Sequence, residues 1–445
     1  MQISKNKKHQ YSFFIIVFFN SILNGGNSSL AIQINFILMS SLFFFSKQDR
    51  NYNIHLVKKY DKNKIAILFY IFFLLFLLFQ IVPIELEFLK YFSKTKYLFL
   101  KKLELGGNYF PISLSPSNTF FQFLNYMTIL FTTLCMSMIF YNKSHIFRFY
   151  YFISFVGAFH SAIAVYFYLI GNPDFLFIKN SFYEKSSTGF FINRTVFSIF
   201  LLLSLFASLE YLKNIEKYFP KKKDNFYNKI YIRIFVIFIS IGIITSLSKL
   251  GNFLFLLTLI FYLFNSFLNS QKNNLFKYTL ILIIFFDVLI LGAFFGIDKL
   301  VDRFSFLTNE FMPNNLHDSN LRRIFLINFS IAQIKDFFYF GYGAGAFENL
   351  FYLNYNSIDN RYASHAHSSL SEFFGEFGLV GSSILLISLF NIFNFKYFND
   401  FNIILLILTL SIVIIFDFSL HIPSVQILFV SLFYNFFMLR KSKFN

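Results

Sequence analysis

The chain has 445 residues, of which 56% are hydrophobic and only 14% charged, with 75 Phe and a formal charge of +17. A soluble domain carries about 25% charged residues, and no polar stretch here is long enough to be a separate soluble domain. The composition excludes an ordinary soluble enzyme, a disordered chain and, with Cys135 the only cysteine, a disulfide scaffold. In a soluble protein the positive excess would suggest nucleic acid. Here the basic residues lie mostly between apolar runs, where they set topology and touch anionic head groups. Membrane lipids are therefore expected partners and nucleic acid is not.

A spanning helix needs about 20 mostly apolar residues. Twelve stretches are candidates: 11–24, 29–45, 64–82, 119–141, 148–170, 191–212, 230–247, 250–268, 278–296, 378–395, 402–420 and 424–439. The first two are short, and with the turn from Asn24 to Ser29 they also read as one broken hairpin. The expected fold is an all-α, polytopic membrane protein of about 12 transmembrane helices. Helices one to nine occupy 1–296, a large partly helical outside loop 297–377, and helices ten to twelve 378–445, in one integral membrane domain. With the N-terminus inside, cytoplasmic segments and their helix ends hold 23 of the 39 Lys and Arg residues. Their basic density is roughly three times that of the outside segments, the positive-inside asymmetry. Both termini are expected in the cytoplasm.

Two outside segments are long, about Pro83 to Ser117 and about Ile297 to Phe377. The second contains an amphipathic stretch, Asn320 to Phe338, that reads as a helix lying on or re-entering the membrane surface. Long loops are usually functional or disordered, and this one is too aromatic for disorder, so chemistry is expected there.

Four constellations can carry it. The first is His367-Ser368 followed, nine residues on, by Gly378-Leu379-Val380-Gly381, within a segment that also contains His365. An imidazole at a membrane–water boundary is suited to accept a proton, and glycines three apart let a helix approach its neighbour. The same residues would equally serve a helix end and packing. The second is Gly189-Phe190-Phe191-Ile192-Asn193-Arg194, where the arginine can present its fork to a diphosphate or snorkel to head groups. The third is Ser246-Leu247-Ser248-Lys249-Leu250-Gly251, a tight outside turn whose lysine runs against the topological bias.

The fourth is Arg322-Arg323, followed by Asp336 and by Gly341, Gly343 and Gly345. These glycines do not form a nucleotide loop, because no strand precedes them and no Lys-Ser/Thr follows. A tight turn is expected. Adjacent arginines on a helix point about 100° apart, so one of the two faces a given ligand. His160, Asp287 and Asp417 lie in or near spans, either as functional groups or as interhelical hydrogen-bond partners. No metal set stands out: the carboxylates Asp298, Asp302, Glu310, Asp318 and Glu348 lack ligand spacing. No nucleophile elbow is present.

Taken in order, these strings resemble the O-antigen ligase and polymerase superfamily of membrane glycosyltransferases, over roughly residues 110 to 400. The His-Ser-x9-Gly-x-x-Gly string follows the family's loop motif at every defined position. Lys249 stands where the family usually has arginine, Ser368 where it often has Asn, and Thr195 where a polar residue such as Asn usually follows the Asn-Arg string. The family spacing back from Asp336 favours Arg323 over Arg322.

The resemblance implies transfer of a glycan from an undecaprenyl-diphosphate carrier to a hydroxyl acceptor at the periplasmic face of a bacterial inner membrane, without metal, nucleotide or other cofactor. The acceptor is lipid A–core for a ligase and another glycan repeat for a polymerase. Charge physics agrees: a departing lipid diphosphate needs fixed positive charge, and Arg194, Lys249, Arg323 and Arg322 can supply it. Neighbouring cations would keep His367 neutral as a base. Asn193, Ser368, His365, Gly378 and Gly381 would support the site. The ligase form of the histidine string favours ligase, with a repeat-unit polymerase as the alternative. A membrane transporter lined by His160, Asp287 and Asp417 is a second alternative, disfavoured by the absent internal repeat.

Overall fold

A computed structural model describes residues 2–48, 52–103, 107–174, 186–218, 225–268, 278, 280–283, 285, 323–354, 363–392 and 401–441. The fold is all-α apart from a two-stranded antiparallel ladder, β1 (Ile84–Glu85) with β2 (Tyr109–Phe110). The helices are α1 (Gln2–Ile22), α2 (Ser29–Lys47), α3 (Tyr52–Ile81), α4 (Leu86–Phe92), α5 (Lys94–Lys102), α6 (Pro116–Ile139), α7 (Lys143–Leu169) and α8 (Arg194–Tyr218). There follow α9 (Asn225–Thr245), α10 (Lys249–Leu268), α11 (Arg323–Ile334), α12 (Phe347–Asn354), α13 (Ser369–Ile392), α14 (Phe401–Phe416) and α15 (Pro423–Lys441).

Among the described residues, eight helical segments are long and apolar enough to cross a membrane, in α2, α3, α6, α7, α8, α9, α10 and α13. This is a polytopic membrane protein. Three more expected spans correspond to helices outside that set. Helix α1 carries Lys5, Lys7 and Lys8 in its first turns, α14 has 16 residues, and the apolar part of α15 is short. The expected span 278–296 falls almost wholly outside the described residues.

Helix α8 is the axis of the bundle. Every residue from Thr195 to Leu212 is buried, as a helix apolar on all sides must be. It packs against α7, α9, α10 and α15. Lipid tails offer no hydrophobic drive for helices to associate, so close packing through small residues has to do it. The contacts are of that kind: Gly157 of α7 lies on Ser204, Gly251 of α10 on Ser198, and Gly242 of α9 between Leu201 and Ser161.

Helix α13 is two helices joined at Gly378, where φ is +62° and ψ −170°, a backbone region that only glycine occupies at small cost. The amides released by the break find partners in the preceding loop. Leu379 N donates to Phe338 O at 2.7 Å and Val380 N to Tyr339 O at 3.0 Å. Two carbonyls before the break accept from that loop, Gly375 O from Tyr342 N and Glu376 O from Gly343 N. Gln80 of α3 spans the junction, its Nε2 bonding both Phe340 O and Glu376 O. The expected turn at Gly341, Gly343 and Gly345 is present, with φ of +72°, +103° and +68°.

The amphipathic stretch forms α11, and one of its faces packs within the protein while Ile331 stays half exposed. Leu326 joins Phe337, Tyr342, Phe347, Phe351 and Ala366 in a cluster belonging to the loop itself, and α11 rests on α13. The expected start at Asn320, like Arg322, lies outside the described residues.

A β-carbon at Gly378 would sit 2.5 Å from both Gly341 N and Tyr339 O. Gly378→Ala should therefore cost more than about 2 kcal/mol, read as a clear fall in the thermal midpoint of the detergent-purified protein followed by size exclusion. Leu379→Ala, beside the break and 44% exposed, should leave the midpoint nearly unchanged.

Candidate active site

The turn Asp417–Ile422, between α14 and α15, packs against α8 and α13 as well. Asp417 Oδ2 accepts the amide of Ser419 at 3.0 Å and the Ser419 hydroxyl, which fixes the chain as it leaves α14. Leu420 O accepts from Gln426 Nε2 at 2.6 Å, and Asn125 of α6 holds Gln426 at 2.8 Å. The turn is thus pinned to two helices.

His367 stands just before α13 with φ of +56°, a conformation costing a side chain roughly 1 kcal/mol. The backbone is held from the next residues: Ser369 donates its amide (3.0 Å) and hydroxyl (2.8 Å) to Asp417 O. The His367 ring meets Phe418 edge-on, 5.2 Å between centroids. Its Nδ1 is buried and makes no hydrogen bond among the described residues. Burial, then the positive charges of Arg323 and His365, push its pKa down to about 3, with Glu372 opposing. The free imidazole is therefore neutral at physiological pH.

His365 stacks flat on Phe418, 4.3 Å between centroids, and donates Nδ1 to Glu372 Oε1 at 2.8 Å. Burial disfavours its charged form, but Glu372, then Asp417 and Glu348, outweigh that and raise its pKa. Ser368 is buried, and its carbonyl accepts the amide of Glu372.

Arg323 opens α11, and its charge acts on both His367 and Asp417. Arg194 is the first residue of α8. Asn193 caps that helix, its Oδ1 accepting from Thr195 N at 2.7 Å and Val196 N at 3.3 Å. Phe191, three residues before Arg194, and Ile422, one residue after His421, both close on Gly25, so the α8 start stands beside the central turn. Lys249 opens α10. Ser248 donates to the Thr195 hydroxyl at 3.3 Å, so the starts of α8 and α10 abut.

The fold thus gathers His365 and His367 around Phe418, with the charge of Arg323 acting on His367, and brings the α8 start, which bears Arg194, beside the same turn; the α10 start, which bears Lys249, abuts that of α8. Gly378 and Gly381 are architectural: the first breaks α13, the second gives room to Phe76 of α3. His160 is an interhelical partner, its Nε2 bonded to Ser21 Oγ at 2.8 Å among Phe190, Phe191 and Phe200. Asp287 lies outside the described residues. Asp417 holds the central turn.

Three buried groups beside the site were not singled out in the sequence: Glu372, Glu376 and His421. The two glutamates are four apart, hence on one face of α13. His421 Nε2 lies 3.6 Å from Glu372 Oε1 and 3.9 Å from Glu376 Oε2. No local pattern marks His421, because its neighbours are distant in sequence. His365, Glu372 and His421 each place one donor atom within 4.8 Å of the others, a ligand set of the kind that holds zinc. The sequence showed no such spacing.

A family model described as O-antigen ligase matches residues 234–386. Over that segment the chain is similar to the O-antigen ligase family. The segment runs from α9 into the second half of α13 and includes Lys249, Arg323, His365, His367, Gly378 and Gly381. Arg194 and the turn bearing Asp417 and His421 lie outside the matched segment. A search of curated proteins found no match to the chain. The match supports a glycosyltransferase-like enzyme acting on glycan and lipid-linked substrates, built as a multi-pass membrane protein.

Asn193→Ala should lower the stability of the α8 start by about 1 kcal/mol, while Asn193→Asp should retain most of the cap. Thermal midpoints of the two variants in the same detergent provide the comparison.

Proposed function

We propose that this protein transfers a glycan from an undecaprenyl-diphosphate carrier to the hydroxyl of lipid A–core at the periplasmic face of a bacterial inner membrane, as an O-antigen ligase. What supports the reading is a neutral imidazole, His367, set against Phe418 under the charge of Arg323, with the α8 start that bears Arg194 beside the same turn and the α10 start that bears Lys249 next to it. His367 takes the proton of the acceptor hydroxyl. The acceptor oxygen forms its bond to the anomeric carbon as the bond from that carbon to the diphosphate breaks, in one displacement with inversion. The electron pair leaves on the diphosphate, and Arg194, Lys249 and Arg323 hold the charge that develops there.

The depressed basicity of His367 has a consequence for timing. In the free enzyme burial, then the charges of Arg323 and His365, hold the imidazole neutral but weakly basic. A bound diphosphate offsets the charge of Arg323 and places negative charge nearby, which raises the pKa of the imidazole. Donor binding therefore strengthens the base that the chemical step uses.

His367→Ala should lower transfer by at least about 10²-fold while the protein still inserts and purifies normally. Arg194→Ala and Arg323→Ala should each cost on the order of 10²-fold in turnover, and Lys249→Arg should stay active where Lys249→Ala does not. The assay is transfer from a defined lipid-diphosphate glycan with lipid A–core and free repeat units offered in parallel. Normal product from His367→Ala would remove the base from the mechanism, and elongation of repeat units alone would make the enzyme a polymerase.

A pH series checks the timing. The profile of kcat/KM reports the free enzyme and that of kcat the donor complex. With His367 depressed in the free enzyme, kcat/KM should show no acid limb near the ordinary histidine value of about 6.5. The acid limb of kcat should lie at higher pH than that of kcat/KM. Coincident limbs near the ordinary value would contradict the coupling.

A further inference from the structure

His367 occupies a backbone conformation that does not hold itself in place, and the residues on both sides of it lead to one carboxylate. Glu372 Oε1 accepts from His365 Nδ1 at 2.8 Å, and Glu372 Oε2 accepts the amide of Ala366 at 2.9 Å. On the far side, Glu372 N donates to Ser368 O at 3.1 Å. One residue thus engages positions 365, 366 and 368, leaving His367 as the member of the turn that it does not touch. Glu372 itself is 1% exposed and lies in the first turn of α13, where helix geometry leaves little freedom to its backbone.

The link to the imidazole runs by two routes. One is through the backbone, from Ala366 directly into His367. The other is through rings: Glu372 orients His365, His365 lies flat on one face of Phe418, and His367 meets Phe418 edge-on. A carboxylate on the far nitrogen of a neighbouring imidazole is how proteins commonly fix the angle of a working ring. Here the arrangement is one step removed, since the fixed ring is His365.

We propose that Glu372 is a positioning residue for His367, acting through His365 and Ala366, and that its carboxylate sets the turnover of the enzyme and not its affinity for the donor. The proposal rests on the reading of His367 as the base. The cations assigned to the diphosphate stand on α8, α10 and α11, and none of the hydrogen bonds of the Glu372 side chain reaches them. A misplaced base slows the chemical step steeply, since about 1 Å of error can cost 10²-fold. Donor binding is carried elsewhere.

The nearby His421 offers the rival account. With both ring nitrogens buried, and with Glu372 and His365 beside it, it could share a metal ion with them. Two features of the geometry favour the positioning role: both oxygens of Glu372 are already engaged by protein donors, and His365 spends its Nδ1 on Glu372.

The test uses the full chain in detergent or nanodiscs, with a defined undecaprenyl-diphosphate glycan as donor. The variants are Glu372→Gln, His365→Ala and His365→Asn, read beside His367→Ala. The amide nitrogen of Asn lies close to where His places Nδ1 and donates as it does, so His365→Asn keeps the bond that His365→Ala removes. Glu372→Gln and His365→Ala should lower kcat at least about tenfold with donor KM changed less than about twofold, and His365→Asn should recover most of the loss.

Wild-type kcat in Glu372→Gln overturns the proposal, as does a His365→Asn variant no better than His365→Ala. A stoichiometric zinc ion in the purified protein, lost together with activity in His421→Ala, also overturns it by making the same residues metal ligands. An inactive His367→Ala with an unimpaired Glu372→Gln refutes the positioning role alone. A normal rate in His367→Ala refutes the base itself, and this proposal with it.

Discussion

A helix that breaks among packed neighbours must find partners for the backbone groups it frees, and the architecture here depends on how α13 meets that requirement at Gly378. The partners come from the segment Phe338–Gly345, so the loop between the spans is hydrogen-bonded into the bundle. Leu379 and Val380 donate into that loop, and Tyr342 and Gly343 donate back to α13. Gln80 ties both to α3. Glu376 adds a side-chain bond to Gly345 N at 2.8 Å. With the loop fixed in this way, α11 has a defined seat on α13, and the charge of Arg323 reaches His367.

The same economy of polar groups organises the site. In a chain that is 56% hydrophobic, each buried polar group needs a partner from within the protein. Asp417 uses its carboxylate to hold its own turn and its carbonyl to hold Ser369. Asn193 uses its amide to cap α8. Thr195, which departs from the usual family residue, receives the hydroxyl of Ser248 and so joins the starts of α8 and α10. Groups that look like candidates for chemistry turn out to be joints, and the joints hold the α8 and α10 starts together.

Much of this was readable beforehand, for stated physical reasons. The apolar runs marked the spanning helices because the bilayer sets their length. The glycines at 341, 343 and 345 marked a turn because side chains avoid positive φ. The His367 string and the cations at 194, 249 and 323 stood out because each is costly at membrane depth unless used. The amphipathic stretch was legible as a helix, but the loop core of Phe337, Tyr342 and Phe347 that its inward face meets was not, because those partners follow it at no fixed spacing. Gly378 was legible as a glycine of importance but not as a break, since close packing and a strained φ select the same residue.

By itself the sequence determined an all-α membrane protein and the approximate ends of most helices, because hydropathy, charge and backbone restriction act over a few neighbouring residues; the residues proposed for transfer were named through a family resemblance. The tertiary structure decided where the loop helix docks and which turn stands beside the α8 start. What is decided there, including that Glu372, Glu376 and His421 stand near the His365–His367 turn, depends on contacts between residues far apart in the chain, such as His365 with Phe418 and Glu372 with His421. No local pattern encodes such contacts, because what fixes them is the packing of whole helices.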